Sequence, residues 1–221
     1  MAKSLSVVRA VIFDLDGLLV DSEPIWWRVE QSVFAELGVI LSDDDCRSTT
    51  GLRCDEVVTH WRGERGWEVP VTDDEVVRRI LDGMVVALGD DPPLMAGARE
   101  AVALAREHAD AVAVASSSPL RLIEAVVAGL GLADSFDDLV SAEHEAFGKP
   151  HPAVYLRAMA RLGVGAAEAV ALEDSPNGVR AAVAAGLRCI AVPEPHHRRE
   201  VEPIADLVLD SLLELRVEHF A

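Results

Sequence analysis

Residues 9–24 read RAVIFDLDGLLVDSEP: an apolar run ends in Asp14 and Asp16, one residue apart, with Gly17 directly behind and Asp21 close by. Carboxylates so near one another repel and resist burial unless something positive lies between them. Two further polar clusters end apolar runs, Ser116, Ser117 and Ser118 before Pro119 and Glu173-Asp174 before Ser175-Pro176; a third, Gly148-Lys149-Pro150, lies in a loop. Each has a purely structural explanation. The serines suit helix N-caps with Pro119 or Pro176 at the first helical position, and Asp174 suits the positive end of a helix dipole. Asp14 alone suits a turn, and Lys149 alone suits a solvated surface. Capping leaves four carboxylates and a lysine unexplained as a set. A divalent cation explains them, since Mg²⁺ takes oxygen ligands, typically one or two carboxylates with waters and a substrate phosphate.

The elements that must carry these residues are legible as short apolar runs alternating with helical patterns. VVRAVIFD (7–14), AVAVASS (111–117), AVALED (169–174), RCIAVP (188–193) and ADLVLD (205–210) read as strands, with a weaker one at 136–141. Near-continuous apolar strands separated by helices predict a parallel sheet covered on both faces. Helices are expected over 97–108, 119–129, 152–162 and 175–185, with Gly186 stopping the last. Ligands of open parallel sheets collect beyond the carboxyl ends of the strands, which is where Asp14, Ser116, Glu173 and Asp174 fall. Between the first two strands, residues 23–91 show helical patterns at 23–38, 54–66 and 72–88, and GDDPPLMAG (89–97) reads as a return linker. The expectation is an α/β, Rossmann-like parallel-sheet core, residues 1–22 and 92–221, with a helical cap domain, 23–91, inserted after its first strand. Trp26, Trp27, Trp61 and Trp67 all fall in the insertion and are expected to build its core, one or two of them facing a ligand.

The 221 residues carry 38 acidic and 20 basic side chains, a formal net charge of −18, and are 50% hydrophobic. That length suits one large domain or a domain carrying an insertion. So acidic a surface repels nucleic acid and anionic lipid, excluding both as general partners. An anionic substrate would need concentrated local positive charge. Cys46, Cys54 and Cys189 are not motif-spaced and read as reduced thiols. The first residues hold no apolar run long enough for a signal peptide, and no segment approaches the roughly 20 apolar residues of a bilayer span. A soluble, cytoplasmic monomer is expected. His196 and His197, between Pro195 and Arg198, read as solvated.

DLDGLLVDSEP, the serines that end the second strand, GKPHPAVY and LEDSPNGVRAA together resemble the four ordered motifs of haloacid dehalogenase-superfamily phosphatases. The helical insertion after the first motif is similar to the group with a small helical cap. TTGLRCDEVVTHW and VASSSPL are further similar to bacterial phosphatases acting on 2-deoxyglucose-6-phosphate and hexitol phosphates. The resemblance spans nearly the whole chain and implies a role for each residue. Asp14 would be the nucleophile, forming an aspartyl-phosphate. Asp16 would protonate the departing alkoxide and later take a proton from water; residues two apart on a strand end share a face, and neighbouring carboxylates would raise its pKa. Asp14, the Asp16 main-chain carbonyl and Asp174 would hold Mg²⁺, with Glu173 a direct or water-mediated ligand. Ser116 and the amide of Ser117 would hold phosphoryl oxygens, and Lys149 would bridge phosphate and nucleophile. Arg53, in TGLRCDE, is the chief candidate for a cap contact with the small phosphorylated substrate.

The resemblance also frames the rivals. The superfamily's dehalogenases expel halide and need no acid at the position of Asp16, whose presence favours phosphoryl transfer. Sugar phosphomutases of the β-phosphoglucomutase type share the motifs and the cap. Where they carry a cap-entrance histidine that restrains the acid/base aspartate, this chain has Trp26; where they carry a phosphate-binding asparagine, it has Leu120. Both departures favour attack by water, hence a phosphatase. A phospho-acceptor receiver domain would lack both the insertion and the second aspartate. GLGLAD (129–134) and GVGAAE (163–168) lack the third glycine of a dinucleotide fingerprint.

Overall fold

The computed structural model describes residues 8–88 and 91–220. Val7, expected in the first strand, and Gly89 and Asp90, expected in the return linker, lie outside them. Among the described residues, six parallel strands form one sheet in the order β3-β2-β1-β4-β5-β6. They are β1 (Ala10–Phe13), β2 (Ala111–Ser116), β3 (Asp138–Ser141), β4 (Ala169–Glu173), β5 (Arg188–Ala191) and β6 (Leu207–Val208). β1 is central: Phe13 pairs in register with Val114 on one side and Leu172 on the other. From β1 the chain winds outward through β2 and β3, then returns to β4 and winds the other way. That reversal opens a crevice at the carboxyl ends of β1, β2 and β4. All five strong strand readings hold, with ends trimmed by one to four residues. β6 shrinks most because it is an edge strand, paired only with β5.

Strand alternation separates two apolar layers. Val11, Phe13, Val114 and Leu172 face one side of the sheet, packing with α5 (Ala98–His108) and α6 (Leu120–Gly129). Ala10, Ile12, Ala115 and Ala171 face the other, against α7 (Ala153–Leu162) and α8 (Pro176–Ala184). These buried strand residues hold the sheet edge rigid, at roughly 25 cal/mol per Å² of apolar surface removed from water.

The insertion comprises α1 (Glu23–Glu36), α2 (Asp43–Ser48), α3 (Cys54–Glu64) and α4 (Asp73–Leu88). It has its own apolar cluster, centred on Phe34, Val58, Trp61, Val76 and Ile80, with Trp26, Trp27 and Trp67 packed at its margin. Ile25, Met84 and Leu88 at the near ends of α1 and α4 belong instead to the sheet's core. Helix α2 was not expected. Its DDDCRS sequence has no apolar period, and what starts it is a reciprocal capping box between Ser42 and Asp45.

Candidate active site

Asp14 follows β1, Ser116 ends β2, and Glu173 and Asp174 close β4, so the sheet alone brings three of the four clusters together. The loop before α7 supplies the fourth. Lys149 is 2% exposed, and its Nζ donates to Asp14 Oδ1 at 2.7 Å, Glu173 Oε1 at 2.6 Å and the Ala115 carbonyl at 3.0 Å. Burial works to lower the lysine pKa, but the charges of Asp14 and Glu173 outweigh it and hold the ammonium above its ordinary range. Burial pushes Asp14 up to about 7, Glu173 adding to the rise and Lys149 opposing it. Lys149 is therefore a buried counter-ion, and the reading of it as a solvated surface residue fails.

Asp174 is 1% exposed and its Oδ1 has no hydrogen-bond partner. Burial raises its pKa well above the usual carboxylate range, and Asp14 and Glu173 raise it further. Ligand oxygens of Asp14, Glu173 and Asp174 all lie within 4.8 Å of one another. Gly17, at φ +79°, packs so closely that a Cβ there would stand 2.2 Å from Asp174 Oδ2. A crowded, oxygen-only donor set with an orphaned buried carboxylate atom fits a hard divalent cation. Glu173 is the most committed of the three. It also accepts from the Tyr155 hydroxyl at 2.6 Å and the Asp174 amide at 3.2 Å, and Gly178 leaves room for it beneath α8. Its first task is to hold Lys149.

Asp16 is enclosed by donors. Ser22 Oγ (2.8 Å) and Trp26 Nε1 (3.0 Å) donate to Oδ1, while Ser118 Oγ (2.7 Å) and Ser116 Oγ (3.3 Å) donate to Oδ2. Two expectations are corrected here. The serines before Pro119 do not cap α6: Pro119 itself is the cap residue, with φ −59° and ψ 146°, and Ser118 turns to Asp16 instead. Nor does Trp26 free Asp16 from restraint, because its indole N–H holds that carboxylate. Ser175, by contrast, caps α8 as expected, accepting from the Gly178 amide with Pro176 at the first position. Asp21 is exposed and takes no part.

A cavity of about 690 Å³, counting its open mouth, runs from these groups up into the insertion. Its walls include Ser117 and Pro119 on the sheet side and Trp26, Trp27, Glu30, Thr49 and Cys54 on the insertion side. Ser117 Oγ reaches across to the Gly51 carbonyl at 3.0 Å, and Asn177 Nδ2 to the Thr50 carbonyl at 2.9 Å. Arg53 does not line this cavity. Its guanidinium is spent on Asp55 (2.5 and 2.7 Å) and on the carbonyls of Ala142 (3.1 Å) and Glu145 (2.7 Å). Those partners hold the arginine on the outer side of the loop leading to Lys149, where the Gly148 amide also donates to Glu56 at 2.9 Å. Arg53 is thus a clasp between insertion and core in this conformation. His197, expected in solvent, is 6% exposed; burial, then His196, lowers its pKa to about 4, so it is neutral.

Ser22, Tyr155 and Glu30 were not expected as site residues, whereas Ser118 lay in the serine cluster and Trp26 at the cap-entrance position already singled out. Of the first three, only Ser22 had a usable signal, as the residue before a helix that begins seven residues after Asp16. The comparisons with known proteins agree with this geometry. Hexitol phosphatase B of Escherichia coli K12 is 46% identical over 210 residues, covering 94% of each chain. The crystal structure of CbbY from Rhodobacter sphaeroides in complex with phosphate superposes with a TM-score of 0.86 at 31% identity, covering 94% of this chain and 96% of that one. The model of the haloacid dehalogenase-like hydrolases matches residues 8–186, from the first described residue through β1, the whole insertion and β4 to the end of α8. With the acidic cluster, the lysine and the serine loop in place along that span, the chain belongs to the haloacid dehalogenase-like hydrolase family.

Proposed function

We propose that this protein is a Mg²⁺-dependent phosphatase that hydrolyses a small phosphate monoester, a hexitol or sugar phosphate, through an aspartyl-phosphate. The observation that carries the reading is the placement of two carboxylates of different character in one cavity. Asp14 is clamped at 2.7 Å by Lys149, and Asp16 is held by hydroxyl and indole donors. Asp14 attacks phosphorus while the bond to the alcohol oxygen breaks, and Asp16 gives its proton to that oxygen. Asp16 then takes a proton from water as the water oxygen attacks phosphorus and displaces the Asp14 carboxylate, releasing inorganic phosphate. Ser116 and the Ser117 amide bind phosphoryl oxygens, and Lys149 favours the ionised form of the nucleophile and aligns it.

Asp14, Asp174 and the Asp16 carbonyl would hold the cation, with Glu173 behind them. When bound, it offsets the charge of phosphate and carboxylates that would otherwise repel. The ionised carboxylates and a phosphate of roughly −2 still outweigh Lys149 and one divalent cation, leaving main-chain N–H groups at helix starts to supply the balance. Residues 23–91 act as a cap on a core of 1–22 and 92–221, closing the cavity against water. The buried free thiols of Cys46, Cys54 and Cys189 suit a reducing, cytoplasmic setting, and the protein acts as a monomer. A mutase is less well supported, with Leu120 offering no polar contact for a second phosphate.

The test is phosphate release from a hexitol phosphate without a bisphosphate activator, with label from ¹⁸O-water appearing in the product. Chelation should abolish release and Mg²⁺ restore it, while Ca²⁺, with its looser coordination, should substitute poorly. Asp14→Asn should keep its fold and lose turnover by several orders of magnitude. Conversion between phosphate positions with little free phosphate would show the mutase reading to be right.

A further inference from the structure

The insertion's end of the cavity contains a carboxyl group whose side-chain partner is a thiol, while the nearby Arg47 guanidinium stacks on Trp27. Glu30 is 6% exposed and lines the cavity with Trp27, Cys46, Thr49 and Cys54. Lys149, at the opposite end, is the one basic residue among the described cavity walls. Burial pushes Glu30 up to about 8, the Cys46 thiol being its side-chain partner and drawing it slightly back. At neutral pH the group is thus mostly protonated, offering an O–H donor and a carbonyl acceptor.

Position matters as much as chemistry. Glu23, Trp26, Trp27 and Glu30 occupy i, i+3, i+4 and i+7 of α1, one face of the helix, and all four line the cavity. Trp26 marks the phosphate end through its bond to Asp16. Glu30 stands four residues on, about 6 Å farther along the helix axis. A polyol whose phosphate lies at Asp14 would bring its chain hydroxyls to that depth. A hydroxyl both donates and accepts, as a neutral carboxyl does, and an uncharged group there does not repel the arriving phosphate.

We propose that Glu30 is a specificity-determining residue that binds hydroxyl groups of the substrate's leaving alcohol. This rests on the phosphatase reading above. Unmatched, a buried polar group of this kind costs free energy, so an alcohol without hydroxyls would be disfavoured.

The test compares kcat/KM for a hexitol phosphate and for phenyl phosphate, whose leaving group carries no further hydroxyl, in the Mg²⁺-loaded full chain. Glu30→Ala should lower the hexitol phosphate value about 10- to 100-fold, the loss expected for one or two hydrogen bonds, and leave phenyl phosphate within about twofold. Glu30→Gln, which keeps a donor and an acceptor, should restore most of the loss. If the alanine variant does not fold, Glu30→Met fills the same volume without polar atoms and carries the comparison. Equal losses on both substrates, or an unchanged hexitol phosphate value, would overturn the assignment while leaving the hydrolase itself established by phenyl phosphate turnover. A wild-type protein that releases phosphate from neither substrate would overturn the phosphatase reading and this assignment together.

Discussion

At the sheet edge, Asp14 and Glu173 are buried against Lys149, which donates to both at 2.7 and 2.6 Å. In the insertion, Glu30 is as deeply buried but is paired with a thiol rather than a cation. On the proposed reading, the same functional group serves two purposes within one cavity. Where a counter-ion shares the low-dielectric site, it opposes the rise that burial forces on a carboxylate and favours the charged form that nucleophilic or metal chemistry needs. Where none is paired with the carboxylate, burial favours the protonated form, which on the proposed reading is a neutral recognition group. The difference follows from what each region can hold in place. The sheet fixes three strand ends within bonding range, whereas the insertion presents one helix face.

The most severe way to break the comparison is to remove the counter-ion. Lys149→Met should leave Asp14 and Glu173 buried without their cation, destabilising the metal-free protein by roughly 3 kcal/mol or more. Urea unfolding measures that loss, and if Asp14 is the nucleophile as proposed, its misalignment should lower turnover by at least about three orders of magnitude. A variant that matched wild type in both would mean the pairing is dispensable.

Arg53 allows a milder test of whether selectivity belongs to the insertion's interior or to its margin. Because its guanidinium holds the Ala142–Glu145 loop and not the cavity, Arg53→Ala should depress hexitol and phenyl phosphate turnover alike, by about 3- to 10-fold, as the clasp loosens. A loss confined to the hexitol phosphate would place the arginine on the substrate after all.

A pH dependence of stability, which leaves the catalytic groups untouched, sharpens the contrast from the other side. Native Glu30 keeps its proton to about pH 8, whereas the unfolded carboxyl loses it near 4.5. Between those values the native state binds more protons than the unfolded one, so wild-type stability falls as pH rises, by at most about 1.4 kcal/mol per unit. Glu30→Gln has no such slope. Its stability advantage over wild type should therefore be small at pH 5 and widen towards pH 8 in denaturant melts. A gap independent of pH would show that Glu30 is ionised in the folded protein.

Much of this molecule was legible before any coordinates. The apolar runs around Val11, Val114, Val170 and Ile190 are too continuous for half-exposed strands, so a doubly covered parallel sheet followed from hydrophobic burial alone. Its strand ends then located Asp14, Ser116, Glu173 and Asp174 at one edge, because parallel strands all deliver their carboxyl ends to the same side. Local chemistry also specified the Ser175-Pro176 cap and the stop at Gly186, both set by residues within a turn of each other.

Long-range partners were decided by the tertiary structure. Nothing within a few residues of Ser118 reports that a side chain 102 positions away will claim its hydroxyl in place of the helix it precedes. Tyr155 reaches Glu173 only because α7 packs across the sheet face. Asp55, two residues from Arg53, was a legible partner for it, but nothing nearby reports the Ala142 and Glu145 carbonyls, 89 and 92 residues on, that complete its capture. Glu30 carried no motif at all; a glutamate on an amphipathic helix is ordinarily solvated, and only the packing of α1 over the crevice turned that face inward. Strand and cap patterns depend on short-range sterics and solvent exclusion, which sequence order records. Charge state and hydrogen-bond choice depend on what the fold brings close and how far it excludes water, which sequence order does not.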